Sequence, residues 1–293
     1  MGRKLTDIFV IPPISVLDVK QGYWKTRKKY WLGLGIESEL GRAKNLLSFS
    51  ALLQKKQKST SIFDPVLCEI MYKWFSDEND LIFDPFCGGS VRGIVANKTN
   101  RNYIGLDIRT EQLEENEIQI KKICSDNLPK YYHTTTNPNL EYDFFFTCPP
   151  YFNLEKYSTQ NDDLSNMTED EFWIEYERIL IESLSKLKND RFAAIVVGDV
   201  RRSDGIYIQL PHKTIQIFEK AGLTFYNDLV LLQEPATAAM RAFKFMNSSR
   251  KIAKAHQNVL VFVKGNPTTA TNRLKKFEDT NLNNIDKFID IDE

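Results

Sequence analysis

From about residue 61 onwards, short apolar runs alternate with longer stretches of helical periodicity. The first helical stretch runs from Phe63 to Phe75, where Leu67, Ile70 and Trp74 recur on one face. Strands are predicted at Leu81–Phe83, Tyr103–Leu106, Asp143–Phe146, Phe192–Val197, Phe225–Leu232 and Val259–Val263. Further helices are predicted at Val91–Lys98, Glu111–Ile123, Glu169–Leu187 and Pro211–Ala221. This alternation predicts an α/β fold, in which helices cover both faces of a largely parallel sheet.

The last two apolar runs depart from the alternation. No convincing helix separates Phe225–Leu232 from Val259–Val263, so these two strands are predicted to pair antiparallel. Residues 1–60 are predicted to be an irregular extension with one helix, and residues 266–293 a polar tail with a helix at most. The α/β domain is therefore predicted to span residues 61–265.

Composition excludes several classes of protein. No apolar run approaches the roughly eighteen residues that span a bilayer, and residues 1–7 have no secretory signal behind their charges. The four cysteines are scattered and have no histidine at ligand spacing, so neither a disulfide framework nor a metal site is predicted. A reducing cytoplasm is the location that this cysteine usage favours.

The net charge is zero, but the charges are unevenly distributed. Residues 1–60 contain twelve lysines and arginines against four acids, with tyrosines and tryptophans interleaved. A second stretch, from Arg241 to Lys254, contains five cations and no acid. Such segments attract phosphate groups, and a solvated basic face is the simpler alternative.

A turn of small residues gives the first chemical signal. The strand predicted at Leu81–Phe83 leads through Asp84, Pro85, Phe86, Cys87, Gly88, Gly89 and Ser90 into a helix. Such a turn lets backbone N–H groups and a helix N-terminus approach a ligand. The next strand ends at Asp107, where a carboxylate binds the ribose diol in nucleotide-binding α/β proteins. A plain turn and a helix cap would explain each feature alone; in this order and spacing they predict a cofactor site.

The second and more specific signal is Cys148-Pro149-Pro150-Tyr151, directly after the strand predicted at Asp143–Phe146. The prolines fix the backbone and have no N–H of their own, so nearby carbonyls stay available as acceptors. The tyrosine adds a flat face. A structural Pro-Pro turn is the alternative, and the cofactor turn upstream disfavours it.

These motifs resemble those of class I S-adenosylmethionine-dependent DNA amino-methyltransferases, which act on adenine N6 or cytosine N4. Asp84–Ser90 resembles their DPFxGxG-type first motif, with serine for the third glycine, and Gly105–Asp107 resembles their second. Cys148–Tyr151 resembles their (Asp/Asn/Ser)-Pro-Pro-Tyr motif. Ser61–Leu67 resembles the helix-start motif that packs on the methionine end of the cofactor. The order of the motifs matches the gamma arrangement of the family.

The resemblance implies a Rossmann-like methyltransferase fold: a mostly parallel seven-stranded sheet with an antiparallel edge hairpin and an N-terminal extension. It implies S-adenosylmethionine as the cofactor and DNA as the partner, in a bacterial or phage-infected cell. The implied cofactor-binding residues are Phe63, Asp84, Pro85, Phe86, Cys87, Gly88, Gly89, Ser90 and Asp107. The implied catalytic residues are Cys148, Pro149, Pro150 and Tyr151: the first side chain and a proline-linked carbonyl accept hydrogen bonds from the target amino group, and the tyrosine stacks on a flipped-out base.

The target base is left open by Cys148. A thiol is a poor hydrogen-bond acceptor, and its similarity in size to serine favours cytosine N4, whereas aspartate or asparagine would have favoured adenine. A cysteine nucleophile for pyrimidine C5 methylation would require the order Pro-Cys, which is reversed here.

DNA contacts are expected from two short segments after the catalytic motif, Phe152–Ser158 and Ala236–His256, and from the N-terminal extension. The extension resembles the leader of methylases typical of phages and prophages. The expected substrate-binding residues are Tyr151, Phe152, Lys25, Arg27, Arg241, Arg250 and Lys251. Methylation of an RNA base or a protein glutamine, and DNA binding by an inactive methylase fold, are the alternatives. A restriction enzyme partner and a homodimer are both left open.

Overall fold

The computed structural model describes residues 5–36, 63–124, 130–133, 138–152, 158–233 and 238–277. Its strands are β1 (Val16–Asp18), β2 (Leu81–Asp84), β3 (Asn102–Asp107), β4 (Lys130–His133), β5 (Phe144–Thr147), β6 (Arg191–Val197), β7 (Leu223–Leu232) and β8 (His256–Lys264). Its helices are α1 (Leu5–Phe9), α2 (Gly22–Gly33), α3 (Pro65–Phe75), α4 (Val91–Lys98), α5 (Thr110–Ile123), α6 (Glu169–Ser185), α7 (Leu210–Lys220), α8 (Ala238–Ser249) and α9 (Pro267–Asn272).

These strands form one sheet in the order β1-β7-β8-β6-β5-β2-β3-β4. β8 runs antiparallel to both β6 and β7, and the other pairings are parallel. The predicted α/β, Rossmann-like methyltransferase fold is confirmed, including the antiparallel pairing of the last two strands. The sheet has an eighth strand because β1, from the N-terminal extension, pairs with the outer side of β7. The antiparallel pair therefore lies one strand in from the edge.

The core lies on both faces of the sheet because alternate side chains of a strand point to opposite faces. In β5, Phe144 and Phe146 pack in one buried cluster and Phe145 packs in the other. The first cluster includes buried residues of α2, α3, α4 and α5, and the second those of α6 and α7. None of the described helices is long and apolar enough to cross a membrane.

The N-terminal extension has more structure than the single predicted helix, since residues 5–36 form α1, β1 and α2. α2 packs on α3 through the buried carboxylate of Glu69, which binds the Arg27 guanidinium and accepts a hydrogen bond from Trp31 Nε1 at 2.8 Å. Trp24 is fully buried and its Nε1 donates to Asp64 Oδ2 at 3.2 Å. The division of the chain near residues 60 and 265 stays a prediction.

One local expectation was wrong: a helix does separate the last two strands. α8 spans Ala238–Ser249, and its Phe243 and Met246 are 79% and 40% exposed. Ala239, Phe243 and Met246 recur at helical spacing, so the sequence pattern does indicate this helix. In the polar tail, residues 266–277 contain α9, as expected, and residues 278–293 lie outside the described part.

Candidate active site

Three segments with predicted chemistry lie side by side at one edge of the sheet. β5, β2 and β3 are adjacent and parallel, so their carboxyl ends meet at the same edge. The turn Pro85–Ser90 follows β2, Asp107 ends β3, and Cys148–Tyr151 follows β5. The topology thus unites the cofactor motif and the catalytic motif, which are far apart in sequence.

Asp84 was predicted to bind the cofactor, but its carboxylate lies beneath the turn. The residue is fully buried. Its carboxylate accepts hydrogen bonds from Tyr103 Oη at 2.6 Å, Thr147 Oγ1 at 2.5 Å and the backbone N–H of Phe86 at 3.2 Å. An ion pair with Arg92 completes the set. The Asp84 side chain thus anchors the ends of β2, β3 and β5 from inside the core, and its contact with the cofactor stays a prediction.

Arg92, in the first turn of α4, is the cation that supports the turn. Its guanidinium donates to Asp84 Oδ2 at 2.5 Å and to the carbonyls of Phe86 at 2.6 Å and Cys87 at 2.8 Å. It also lies 4.5 Å from the centre of the Phe63 ring. Burial lowers the pKa of this guanidinium, but Asp84 and other neighbouring groups outweigh burial and raise the pKa well above its usual value. The group is a permanent buried cation, and the sequence analysis missed it.

α5 holds the turn from the other side. Asn116 Nδ2 donates to the carbonyl of Gly88 at 2.8 Å, and Gln112 Nε2 donates to Asn116 Oδ1 at 2.9 Å. Gly88 has φ of +50°, in the left-handed region that glycine adopts without strain. Ser90 Oγ donates to Gln119 Oε1 at 2.8 Å and the residue is buried. The Ser90 side chain, predicted to face the cofactor, is thus engaged by α5.

The turn also contacts β3 closely. The N–H of Cys87 donates to the carbonyl of Leu106 at 2.9 Å, and a Cβ on Gly105 would lie only 2.7 Å from the Cβ of Cys87. Burial raises the pKa of the Cys87 thiol, which is therefore neutral. At the end of β3, Asp107 Oδ1 accepts hydrogen bonds from the backbone N–H of Arg109 at 2.8 Å and from its Nε at 3.1 Å.

The catalytic motif places Tyr151 between three strands. Its hydroxyl accepts a hydrogen bond from Gln257 Nε2 of β8 at 2.9 Å. It also lies 3.4 Å from the carbonyl of Val196 in β6 and 3.5 Å from Cys148 Sγ. Pro149 is buried, whereas Cys148, Pro150 and Tyr151 are half-buried. Cys148, Pro150 and Tyr151 are therefore partly open to a ligand.

Two predicted aromatic contacts have different outcomes. Phe63 packs edge-on against Phe146 near the end of β5, with 5.9 Å between ring centres, beside the cofactor turn. Phe152 was predicted to contact the substrate, but it is 7% exposed and packs on Phe172 of α6 at 5.3 Å. The Phe152 backbone has φ of +51°, in the left-handed region, and its side chain lies in the core. In this structure Phe152 presents no open face to a substrate.

Two basic residues of α2 that were predicted to bind DNA differ in exposure and in their partners. Lys25 is exposed. Arg27, by contrast, binds Glu69 with both arms of its guanidinium. The hydrogen bonds from Glu69 raise the pKa of Arg27. Arg27 therefore docks α2 onto α3, and its contact with DNA stays a prediction.

The second basic segment includes α8 and the residues after it. Arg250 is exposed, and Lys251 lies over Gly205 in the turn between Arg201 and Tyr207. The side chain of Arg241 is outside the described part of the chain. The expected recognition residues 153–157 and 234–237 also lie outside it.

The fold is that of Rossmann-like S-adenosylmethionine-dependent methyltransferases, and the two motifs lie side by side at one edge of its sheet. A family of DNA methylases, of the N6/N4 methyltransferase type, matches residues 17–119. The match spans β1 to α5 and includes the cofactor turn and Asp107, which confirms the resemblance over this part of the chain; it ends before Cys148. None of the curated proteins compared with the chain matches it.

Solved structures of methyltransferases are similar to this chain. A candidate RNA methyltransferase from Pyrococcus horikoshii is 12% identical and has a TM-score of 0.50, with 82% of this chain and 100% of that chain covered. A methyltransferase from Pyrococcus furiosus is 14% identical, with a TM-score of 0.48 and coverage of 83% and 98%. Magnesium protoporphyrin IX methyltransferase from Synechocystis, with bound S-adenosylmethionine, is 12% identical, with a TM-score of 0.42 and coverage of 64% and 71%.

The cofactor expected from the sequence, S-adenosylmethionine, agrees with the DNA methylase match, and the residues present fit it. Asp107 supplies a carboxylate at the end of β3, and the turn Pro85–Ser90 leads into the N-terminus of α4. Gln112 Oε1 is buried and has no hydrogen-bond partner among the described residues. A buried acceptor of this kind next to the turn suits a polar ligand.

Proposed function

We propose that this protein methylates the exocyclic amino group of adenine or cytosine in DNA. The observation that carries the proposal is the position of Cys148–Tyr151 at the end of β5, beside the turn that follows β2. Methyl donor and target would then meet across two adjacent strand ends. Phe63, the turn Pro85–Ser90 and Asp107 would hold the cofactor, which supplies a methyl group already activated on a sulfonium.

The chemistry asked of the chain is alignment rather than covalent catalysis. The carbonyl of Pro149, with Cys148 beside it, would accept hydrogen bonds from the target amino group and orient its lone pair. Tyr151 would stack on a target base that is flipped out of the DNA duplex. With the cofactor bound, these residues would hold the amino nitrogen in line with the activated methyl group that the cofactor would supply.

The distribution of charge supports DNA as the substrate. β1 and β7 are adjacent and parallel, and Asp18 pairs with Leu232 where both strands end. The basic helix α2 follows β1, and the basic segment with α8 follows β7. Both segments therefore start from the edge that carries Tyr151, on the side away from the cofactor turn. Lys25 is exposed on α2, as are Lys244 and Arg250 in the second segment, and such cations suit a phosphate backbone.

The decisive experiment is incubation of the protein and S-adenosylmethionine with unmethylated duplex DNA and, separately, with RNA, followed by nucleoside digestion and mass spectrometry. N6-methyladenine or N4-methylcytosine from DNA is the expected product, and the product identifies the base. Methylation of RNA alone would replace the DNA assignment with an RNA one. Absence of both products with intact cofactor binding would indicate an inactive methylase fold.

Tyr151→Ala tests the role of the catalytic motif. It should bind S-adenosylmethionine normally but lose most methyl transfer, since stacking on an unpaired base is worth roughly 1–3 kcal/mol and misalignment adds to the loss. Tyr226→Ala is the matched control because Tyr226 is 45% exposed and lies in the middle of β7, away from this edge. Equal activity of the two variants on DNA would refute the flipped-base role.

A further inference from the structure

Tyr151 is held at its hydroxyl end by a side chain from another strand. Gln257, the second residue of β8, donates from Nε2 to Tyr151 Oη at 2.9 Å. The adjacent residue Asn258 pairs with Val197 of β6, and the Tyr151 hydroxyl lies 3.4 Å from the carbonyl of Val196. The hydroxyl therefore accepts one hydrogen bond from β8 and has acceptors beside it for its own proton.

The backbone at Gly198 packs against the Tyr151 ring and limits where the ring can lie. A Cβ at this buried position would lie 3.0 Å from Cε2 of Tyr151 and 3.4 Å from Cδ2. The backbone of Gly198 is outside the left-handed region, so its conformation does not require glycine. The missing side chain instead leaves the space that the tyrosine ring occupies.

We propose that Gln257 and Gly198 are positioning residues that fix the ring plane of Tyr151, and with it the place where the target base stacks. The inference rests on the proposed function. The hydroxyl lies on the axis of the Cβ–Cγ bond, so the hydrogen bond from Gln257 fixes where the ring lies but not its rotation about that axis. The backbone at Gly198 restricts that rotation, because it lies against one edge of the ring. Gly198 allows the ring to lie against the backbone after β6, and Gln257 prevents it from swinging away.

A double-mutant cycle tests the inference. Gln257→Met has a similar shape but no amide donor, and it should lower kcat on DNA by roughly three- to tenfold, the value of one hydrogen bond. Cofactor affinity should not change. In the Tyr151→Phe background, Gln257→Met should have no further effect, because the hydroxyl through which it acts is gone. Gln257→Glu should retain more activity than Gln257→Met, because a carboxylate accepts a hydrogen bond from the hydroxyl.

Gln216→Met is the matched control, since Gln216 is exposed on α7 and should leave kcat unchanged. Equal losses from Gln257→Met in both backgrounds, or no loss in either, would overturn the positioning role. Gly198→Ala should also lower kcat, and the loss should disappear in the Tyr151→Ala background. If Gly198→Ala does not fold, the Gln257 cycle decides alone. Full activity of Tyr151→Ala would instead refute the proposed function itself, so the two failures are distinguishable.

Discussion

Arg92→Met removes the cation that is buried against Asp84. The side chain of Arg92 is 5% exposed and that of Asp84 is 0% exposed. After the substitution, the carboxylate keeps only neutral donors from Tyr103, Thr147 and the backbone of Phe86. Breaking a buried ion pair by removing one partner costs about 3–5 kcal/mol, since a charge is left buried and uncompensated. We expect the free energy of unfolding to fall by about that amount.

Urea unfolding followed by circular dichroism measures the loss, provided the m-value matches that of the parent. Lys98→Met, at an exposed position of the same helix, should change stability by less than about 0.5 kcal/mol. Adding Asp84→Asn to Arg92→Met should recover part of the loss, because the uncompensated charge is then removed. A loss below about 1 kcal/mol, or a double variant no more stable than Arg92→Met, would refute the reasoning.

Three further predictions concern the cofactor, DNA and pH. Asp107→Asn should weaken S-adenosylmethionine binding by about 1.5–3 kcal/mol, the value of hydrogen bonds to a charged group; unchanged affinity by calorimetry would mean that Asp107 does not hold the ribose. Replacing exposed Lys244 and Arg250 by alanine should reduce the salt slope of DNA binding by about two units, one for each phosphate contact; a slope equal to that of the parent would place this segment off the DNA. Burial raises the pKa of Glu69, but the hydrogen bonds from Arg27 and its other partners outweigh burial and lower the pKa below its ordinary 4.5. The resulting stabilisation is present above that value and is lost as the pH falls through the lower folded-state pKa. Glu69→Gln should therefore flatten the acid limb of the stability curve, and an unaltered limb would contradict this role.

Much of the fold follows from local pattern. The six predicted strands correspond to β2, β3, β5, β6, β7 and β8, because each contains an apolar run bounded by turn or helix signals. β1 and β4 were not predicted: β1 has only three residues, and β4 contains two tyrosines between Lys130 and His133 in place of a run of aliphatic or phenylalanine residues. α8 was missed although Ala239, Phe243 and Met246 recur at helical spacing in its sequence.

The motifs of the candidate site could also be predicted from the sequence, because each lies in a short continuous segment. Pro85–Ser90 and Cys148–Tyr151 follow predicted strands directly, and parallel strands end at one edge. The roles of single side chains were less predictable. Asp84 and Ser90 were expected to face the cofactor, and Phe152 and Arg27 the substrate, but each is engaged inside the protein.

The sequence by itself determined the class of fold, the family resemblance and the two motifs, because these depend on residues close together in the chain. Only the tertiary structure decided what supports them. Thr147 reaches Asp84 across 63 positions, and Gln257 reaches Tyr151 across 106. Such contacts depend on strand order, in this case on β8 lying beside β6. Hydrophobic period and turn chemistry describe local geometry and contain no information on which distant side chain will complete a hydrogen bond.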